Sequence, residues 1–131
     1  MTFPAIDISP PTPIALSVDL VCASVLAQRV APSVVLFSVD GSLDLSNANA
    51  FGDFVHTGSD RTDAVVVDLS AAEFIGTAVL SVLTDIEKAC RGRGTTMTLV
   101  TGTAADRVMA AARWNPDASA HTRLADALAV Q

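Results

Sequence analysis

The most regular hydrophobic pattern in the chain runs through residues 64–90 and changes its period near Gly76. Residues 64–69 form a short, largely β-branched apolar run, the pattern of a strand buried on both faces. Apolar residues then recur at helical spacing, at Val79, Leu83, Ile86 and Cys90. Such a stripe predicts a helix with one apolar face. We therefore expect a buried central strand that leads, through a loop over residues 70–76, into a central helix ending near Arg91.

The pattern on either side of this unit predicts further strands and helices in alternation. Strands are predicted somewhere within residues 14–28 and at 34–39, 96–100 and 118–121. Helices are predicted at residues 47–57, 104–113 and 124–130, and Ser46 or Asn47 is placed to cap the first of them. Turns are predicted at residues 29–33 and 40–42. This order indicates an α/β fold, with a mixed β-sheet of four to five strands flanked by about four helices.

Proline marks the start of the chain, because four of its six prolines lie within residues 1–13. Proline has no backbone donor and a fixed φ, so it disfavours regular structure in such a cluster. We predict a flexible, proline-rich segment over residues 1–15 and one folded domain over residues 16–131. A length of 131 residues fits a single domain of this kind.

Composition and charge exclude several classes of function. The formal net charge of −6 argues against nucleic acid, which binds basic surfaces. Neither a phosphate-binding glycine motif nor a spacing typical of metal ligands or of catalytic groups is present. We therefore expect no enzyme activity, no cofactor and no metal. The absence of a signal peptide and of a long apolar run predicts a cytoplasmic protein without direct membrane insertion.

The two cysteines, Cys22 and Cys90, are far apart in the sequence and form no disulfide framework. A reduced, cytosolic setting is the simpler interpretation, and a redox bond between them stays an open alternative. Arginine outnumbers lysine seven to one, and alanine and valine are abundant, which is typical of a GC-rich bacterial genome.

Thr77 places a hydroxyl at the start of the predicted central helix. A helix start concentrates free N–H groups and partial positive charge, so it can hold an anion. The residues alone leave two interpretations open. Thr77 either caps the helix or is a switch residue, at which a change of state alters the surface.

Three stretches, in their order and spacing, resemble the STAS domain, a family that includes sulfate-transporter domains and bacterial anti-sigma factor antagonists. Residues 40–46 resemble the family's G-x-L-D turn. Residues 65–75 resemble its signature strand and the approach to its central helix. Residues 89–100 resemble the end of that helix and the following strand. The resemblance covers about residues 16–130 and implies a mixed sheet flanked by helices.

The resemblance also implies a function in transcription regulation. Antagonists of this family bind an anti-sigma factor that is a serine/threonine kinase of the histidine-kinase-like ATPase type, and the sigma factor is released. Phosphorylation of the antagonist at the helix start, which corresponds to Thr77, abolishes binding. The implied partner interface comprises Asp40, Ser42, Asp44, Ser46, Asn47, Gly76, Leu80, Ser81 and Thr84.

The helix start departs from the family pattern. It reads Gly76-Thr77-Ala78-Val79, where the family usually has Asp-Ser-Ser-Gly. Thr77 keeps the hydroxyl, whereas the preceding acid and the second serine are absent. This departure favours one alternative, a degenerate, non-phosphorylated STAS module that acts as a constitutive binding or scaffold protein. A second alternative is an accessory subunit of a transporter, because some members of the family serve transporters. A homodimer is also left open.

Overall fold

A computed structural model describes residues 15–116, 119–121 and 123–129. The described strands are β1 Ala15–Leu20, β2 Ala23–Ala31, β3 Val34–Leu43, β4 Ala64–Asp68, β5 Ala72–Ile75, β6 Thr96–Val100 and β7 Ser119–His121. The described helices are α1 Ala48–Gly58, α2 Thr77–Arg93, α3 Thr103–Ala112 and α4 Leu124–Ala129. The predicted proline-rich segment lies outside the described residues, apart from Ala15, which opens β1.

The strands form one mixed sheet in the order β1-β2-β3-β4-β6-β7, and β5 pairs with β3 off this path. β1, β2 and β3 pair antiparallel, whereas β3 pairs parallel with both β4 and β5, and β6 pairs parallel with both β4 and β7. The predicted fold class, a mixed sheet with four helices, is confirmed. The predicted count of four to five strands was too low, because the described sheet has seven.

The prediction missed one strand at the start of the sheet and another after β4. Residues 14–28 hold a hairpin rather than one strand, and β2 continues through the predicted turn at 29–33. The hairpin turn consists of Val21 and Cys22, and Cys22 adopts a positive φ of 65°. Both turn residues are apolar, so the sequence shows no turn signal there. The predicted loop at 70–76 contains β5, which is four residues long.

Gly41 lies within β3 rather than in a turn that ends it, so the predicted turn at 40–42 was wrong. Its φ is +104°, and a Cβ there would come within 2.5 Å of the Cys22 carbonyl oxygen. The register between β3 and β5 shifts at this point, as it does at a β-bulge. Glycine is required here because φ is positive and because the Cys22 carbonyl of the adjacent β1–β2 turn lies where a side chain would begin.

The sheet is buried on both faces at its centre, as the apolar run predicted. Val65 and Val67 pack in the main core with α1 and α2, and Val66 packs in a smaller core with Ala127 of α4. Successive side chains of a strand point to opposite faces, which explains this division. The stripe predicted on α2 faces the main core, and its members Val79, Leu83, Ile86 and Cys90 are all buried.

Candidate functional site

The loop between β3 and α1 is folded around the carboxylate of Asp44. One carboxylate oxygen accepts hydrogen bonds from the backbone N–H (2.9 Å) and from the hydroxyl of Ser46. Both bonds favour the charged form, and they hold the pKa of Asp44 below its ordinary value, with the hydroxyl as the larger cause. Asp44 and Ser46 thus form a fixed, anionic turn at the protein surface.

Asn47 ties this loop to two other parts of the chain. Its side-chain N–H groups donate to the carbonyl oxygens of Val21 and of Ser42, and its side-chain oxygen accepts from the Asp44 N–H (2.9 Å). The residue is buried, with 2% of its surface exposed. Asn47 occupies the N-cap position of α1 but makes no side-chain cap bond there. The predicted capping role of its side chain was therefore wrong, because these three bonds use it instead.

The start of α2 lies beside this loop. The Gly76 N–H donates to the Leu43 carbonyl (2.8 Å), which fixes the helix start against the end of β3. Gly76 is the N-cap residue in an extended conformation, so Thr77 is the first helical residue rather than the cap. Thr77 is exposed, and its hydroxyl makes no hydrogen bond to any described residue. The interpretation of Thr77 as a helix cap was wrong.

The other predicted contact residues on α2 differ in how accessible they are to a partner. Ser81 is exposed one turn beyond Thr77 and shares its surface. Leu80 is only 5% exposed and belongs to the main core, so it offers a partner almost no surface. The Thr84 hydroxyl donates to the Leu80 carbonyl (3.0 Å) and accepts from the Trp114 indole N–H (3.2 Å). Thr84 therefore joins α2 to the chain after α3.

Asp40 and Ser42 lie on β3, the strand that leads into the Asp44 loop. Val39 points into the main core, so Asp40, the next residue, lies on the opposite face of the sheet. Ser42 is half-buried, and its N–H donates to the Cys22 carbonyl (2.9 Å). The structure thus brings together Asp44, Ser46, Gly76, Thr77 and Ser81, and it separates Asp40 from them.

An apolar groove of about 540 Å³ opens beside Thr77, between the start of α2 and the face of α3. We call it the α2–α3 groove. Leu45 and Phe74 stand at its edge with 82% and 55% of their surfaces exposed, and Arg107 lines the α3 side. Sequence reasoning missed these three residues as a site. The available signal was weak: a leucine within a polar loop and an arginine on an alanine-rich helix.

Other chemistry is sparse in the part of the chain that the structure describes. Among those residues, no cluster of histidine, cysteine or acidic side chains has the arrangement needed to hold a metal ion. Cys22 and Cys90 are both free; Cys22 is exposed at the hairpin turn, and burial raises the pKa of Cys90 near the end of α2. None of the described helices is long and apolar enough to cross a bilayer.

Comparison with known proteins identifies the family. The STAS domain model matches residues 26–112. An anti-sigma factor antagonist from Mycobacterium paratuberculosis is similar in structure, with a TM-score of 0.73, 27% sequence identity, and coverage of 82% of this chain and 92% of that one. The anti-sigma factor antagonist SpoIIAA shares the fold at 11% identity, with a TM-score of 0.66 and coverage of 81% and 95%. No curated protein sequence matches. The chain belongs to the STAS domain family.

Proposed function

We propose that this chain is an anti-sigma factor antagonist that binds a kinase-type anti-sigma factor through the surface around Thr77, and that phosphorylation of Thr77 breaks the complex. The observation that carries the proposal is the exposed Thr77 hydroxyl, which begins α2 and has no bond to a described residue. The membership of the chain in the STAS family and its similarity to the mycobacterial antagonist support a protein partner of the anti-sigma factor kind.

The start of α2 is suited to carry a phosphate without unfolding. A phosphothreonine adds nearly two negative charges and three acceptor oxygens. Free N–H groups and the positive end of the helix dipole would compensate much of that charge. In the transfer, the γ-phosphoryl group of ATP passes to the Thr77 oxygen, the hydroxyl gives up its proton, and ADP leaves. The added bulk and charge would then act on the complex rather than on the fold.

Phosphorylation is tested by incubating the purified chain with ATP and each kinase-type anti-sigma factor of its source organism. Intact mass should increase by one phosphoryl group. Thr77→Ala should abolish the increase, and Ser81→Ala, which removes a neighbouring exposed hydroxyl, should leave it unchanged. A phosphoryl group that persists in Thr77→Ala would assign the modification to another residue.

Binding is tested by titrating the same anti-sigma factor with Thr77→Glu. Affinity should fall at least about a hundredfold, since each 1.4 kcal/mol is a factor of ten. The thermal melt of the variant should match that of the unchanged chain, because the side chain is exposed. Unchanged affinity would show that the partner binds elsewhere.

A second candidate function is constitutive binding without phosphorylation. Gly76 and Ala78 favour it, because they replace the acid and the second serine of the usual family pattern. The fold does not enforce the loss of the acid, since a Cβ at Gly76 would meet only ordinary contacts, the nearest at 3.5 Å from Asp44 and from Phe74. Stable binding to the anti-sigma factor with no mass increase in ATP would identify this function.

A further inference from the structure

The α2–α3 groove has an apolar floor and an exposed apolar edge. Ile75, Ala104 and Val108 form part of the floor and are 3–8% exposed. Leu45 and Phe74 rise at the edge, and they are two of the five large hydrophobic side chains that are exposed among the described residues. An apolar floor with an exposed aromatic edge is typical of a surface that a protein partner covers.

The α3 side of the groove has the shape to receive a helix. Ala104, Val108 and Ala111 recur at i, i+4 and i+7, so they form one face of α3. The two alanines keep that face low, which lets a second helix approach closely along it. α3 spans ten residues, or about 15 Å, which matches roughly three turns of a partner helix.

Charges of both signs surround the apolar centre. Arg107 is exposed on the α3 side, and among the described residues it has neither a hydrogen bond nor an ion pair. Asp44 and Glu73 line the groove with negative charge, and the Asp44 carboxylate already accepts its bonds from Ser46. An apolar centre with a charged rim is the usual anatomy of a protein–protein interface.

We infer that the α2–α3 groove seats an amphipathic helix of the anti-sigma factor, an inference that rests on the proposed function. The apolar stripe of that helix lies against Phe74 and Val108. An acidic residue of the helix faces Arg107, and a basic residue faces Glu73. Because Thr77 lines the groove, the seated helix lies beside the threonine hydroxyl, and a phosphate there would clash with it.

The apolar contact is tested by calorimetric titration of the anti-sigma factor with Phe74→Ala. Affinity should fall about thirtyfold, in the range of an aromatic hot spot. Leu16→Ala is the matched control, since Leu16 is 61% exposed and lies on β1, far from the groove. The control should bind like the unchanged chain, and equal thermal melts would show that both variants are folded.

The charge contact is tested with Arg107→Glu, which should weaken binding about tenfold. Arg61→Glu, at an exposed arginine in the turn after α1, should have no effect. Replacing one acidic residue of the partner helix by lysine should restore the affinity of Arg107→Glu. Restoration by a charge exchange is not expected from a change in fold.

The outcomes separate this inference from the proposed function. If the factor binds and both Phe74→Ala and Arg107→Glu bind as the unchanged chain does, the groove assignment is wrong and the proposed function stands. If no factor of this class binds the unchanged chain, both are wrong. If sedimentation shows a dimer of the chain alone that Phe74→Ala dissociates, a second copy occupies the groove and the inference fails.

Discussion

The two ends of α2 are built in opposite ways. At its C-terminal end, Gly94 adopts a left-handed conformation and its N–H donates to the Arg91 carbonyl. The Arg93 guanidinium donates to the hydroxyl of buried Ser59 (2.9 Å), and the buried Thr95 hydroxyl donates to the Thr62 carbonyl (2.8 Å). These polar groups at the end of the helix have bonding partners within the protein.

At its N-terminal end, α2 starts on a glycine that supplies no side-chain cap, and the first hydroxyl is free of described partners. Phe74 and Leu45 are exposed beside it. A fold gains stability by satisfying buried polar groups and covering apolar ones, and it does so at the C-terminal end. The N-terminal end is therefore left incomplete, as a surface for binding would be.

Asn47 is an exception near the N-terminal end of α2, because its side chain is fully bonded within the protein. Asn47→Ala removes three hydrogen bonds and leaves the Val21 and Ser42 carbonyl oxygens and the Asp44 N–H without this partner. We expect the free energy of unfolding to fall by about 2–4 kcal/mol in urea titrations. Asn49→Ala, on the exposed face of α1, should cost less than about 0.5 kcal/mol. Equal effects of the two changes would mean that Asn47 does not hold the loop.

Thr95 and Thr77 compare the two ends of α2 directly. Thr95→Val keeps the shape of the side chain but removes its bond to the buried Thr62 carbonyl, and we expect a loss of about 1–2 kcal/mol. Thr77→Val removes an exposed hydroxyl without a described partner and should change stability by less than about 0.5 kcal/mol. Urea titration of both variants measures the difference. Similar losses would contradict the contrast between the ends.

The sequence predicted the centre of the fold because periodicity there reflects burial directly. β4, β6 and the apolar stripe of α2 all follow from local spacing, since each repeats its apolar residues on the face that meets the core. The β1–β2 hairpin could not be predicted from local spacing, because Val21 and Cys22 continue the apolar run through the turn. β5 is too short to show a period of two.

The site was predictable only in part for the same reason. The exposed position of Thr77 follows from its distance from the α2 stripe, whereas Leu80 lies close enough to the stripe to be buried with it. Phe74 and Arg107, which are more than thirty residues apart in sequence, both line the α2–α3 groove. No local pattern predicts that arrangement, because it depends on how α3 packs over β5.

Gly76→Ser tests whether a side-chain cap can stabilise the N-terminal end of α2. A serine at the N-cap would accept one of the free N–H groups at the helix start, and the site has room for its Cβ. We expect a gain of only a few tenths of a kcal/mol, because glycine itself is a tolerated N-cap. Thermal unfolding measures the gain relative to the unchanged chain. A loss of stability at Gly76 would show that the helix start needs glycine.

The smallest expected effect is the contribution of the Asp44–Ser46 turn to the pH dependence of stability. The direction of this effect follows from the hydrogen bonds to the Asp44 carboxylate. Because the folded pKa of Asp44 lies below its ordinary value of 3.8, its stabilising contribution is present above that value. The contribution is lost as the pH falls through the lower, folded pKa. Ser46→Ala removes the hydroxyl bond but keeps the backbone N–H bond, so the pKa should rise only part of the way towards 3.8.

A carbon-detected NMR titration of the Asp44 carboxyl group measures this change. Ser81→Ala, which removes an exposed hydroxyl on the same surface, should leave the titration unchanged. If Ser46→Ala also leaves it unchanged, the serine hydroxyl does not hold the carboxylate. The anionic turn would then depend on the backbone N–H alone, and the loop beside Thr77 would be organised by Asn47 rather than by its own serine.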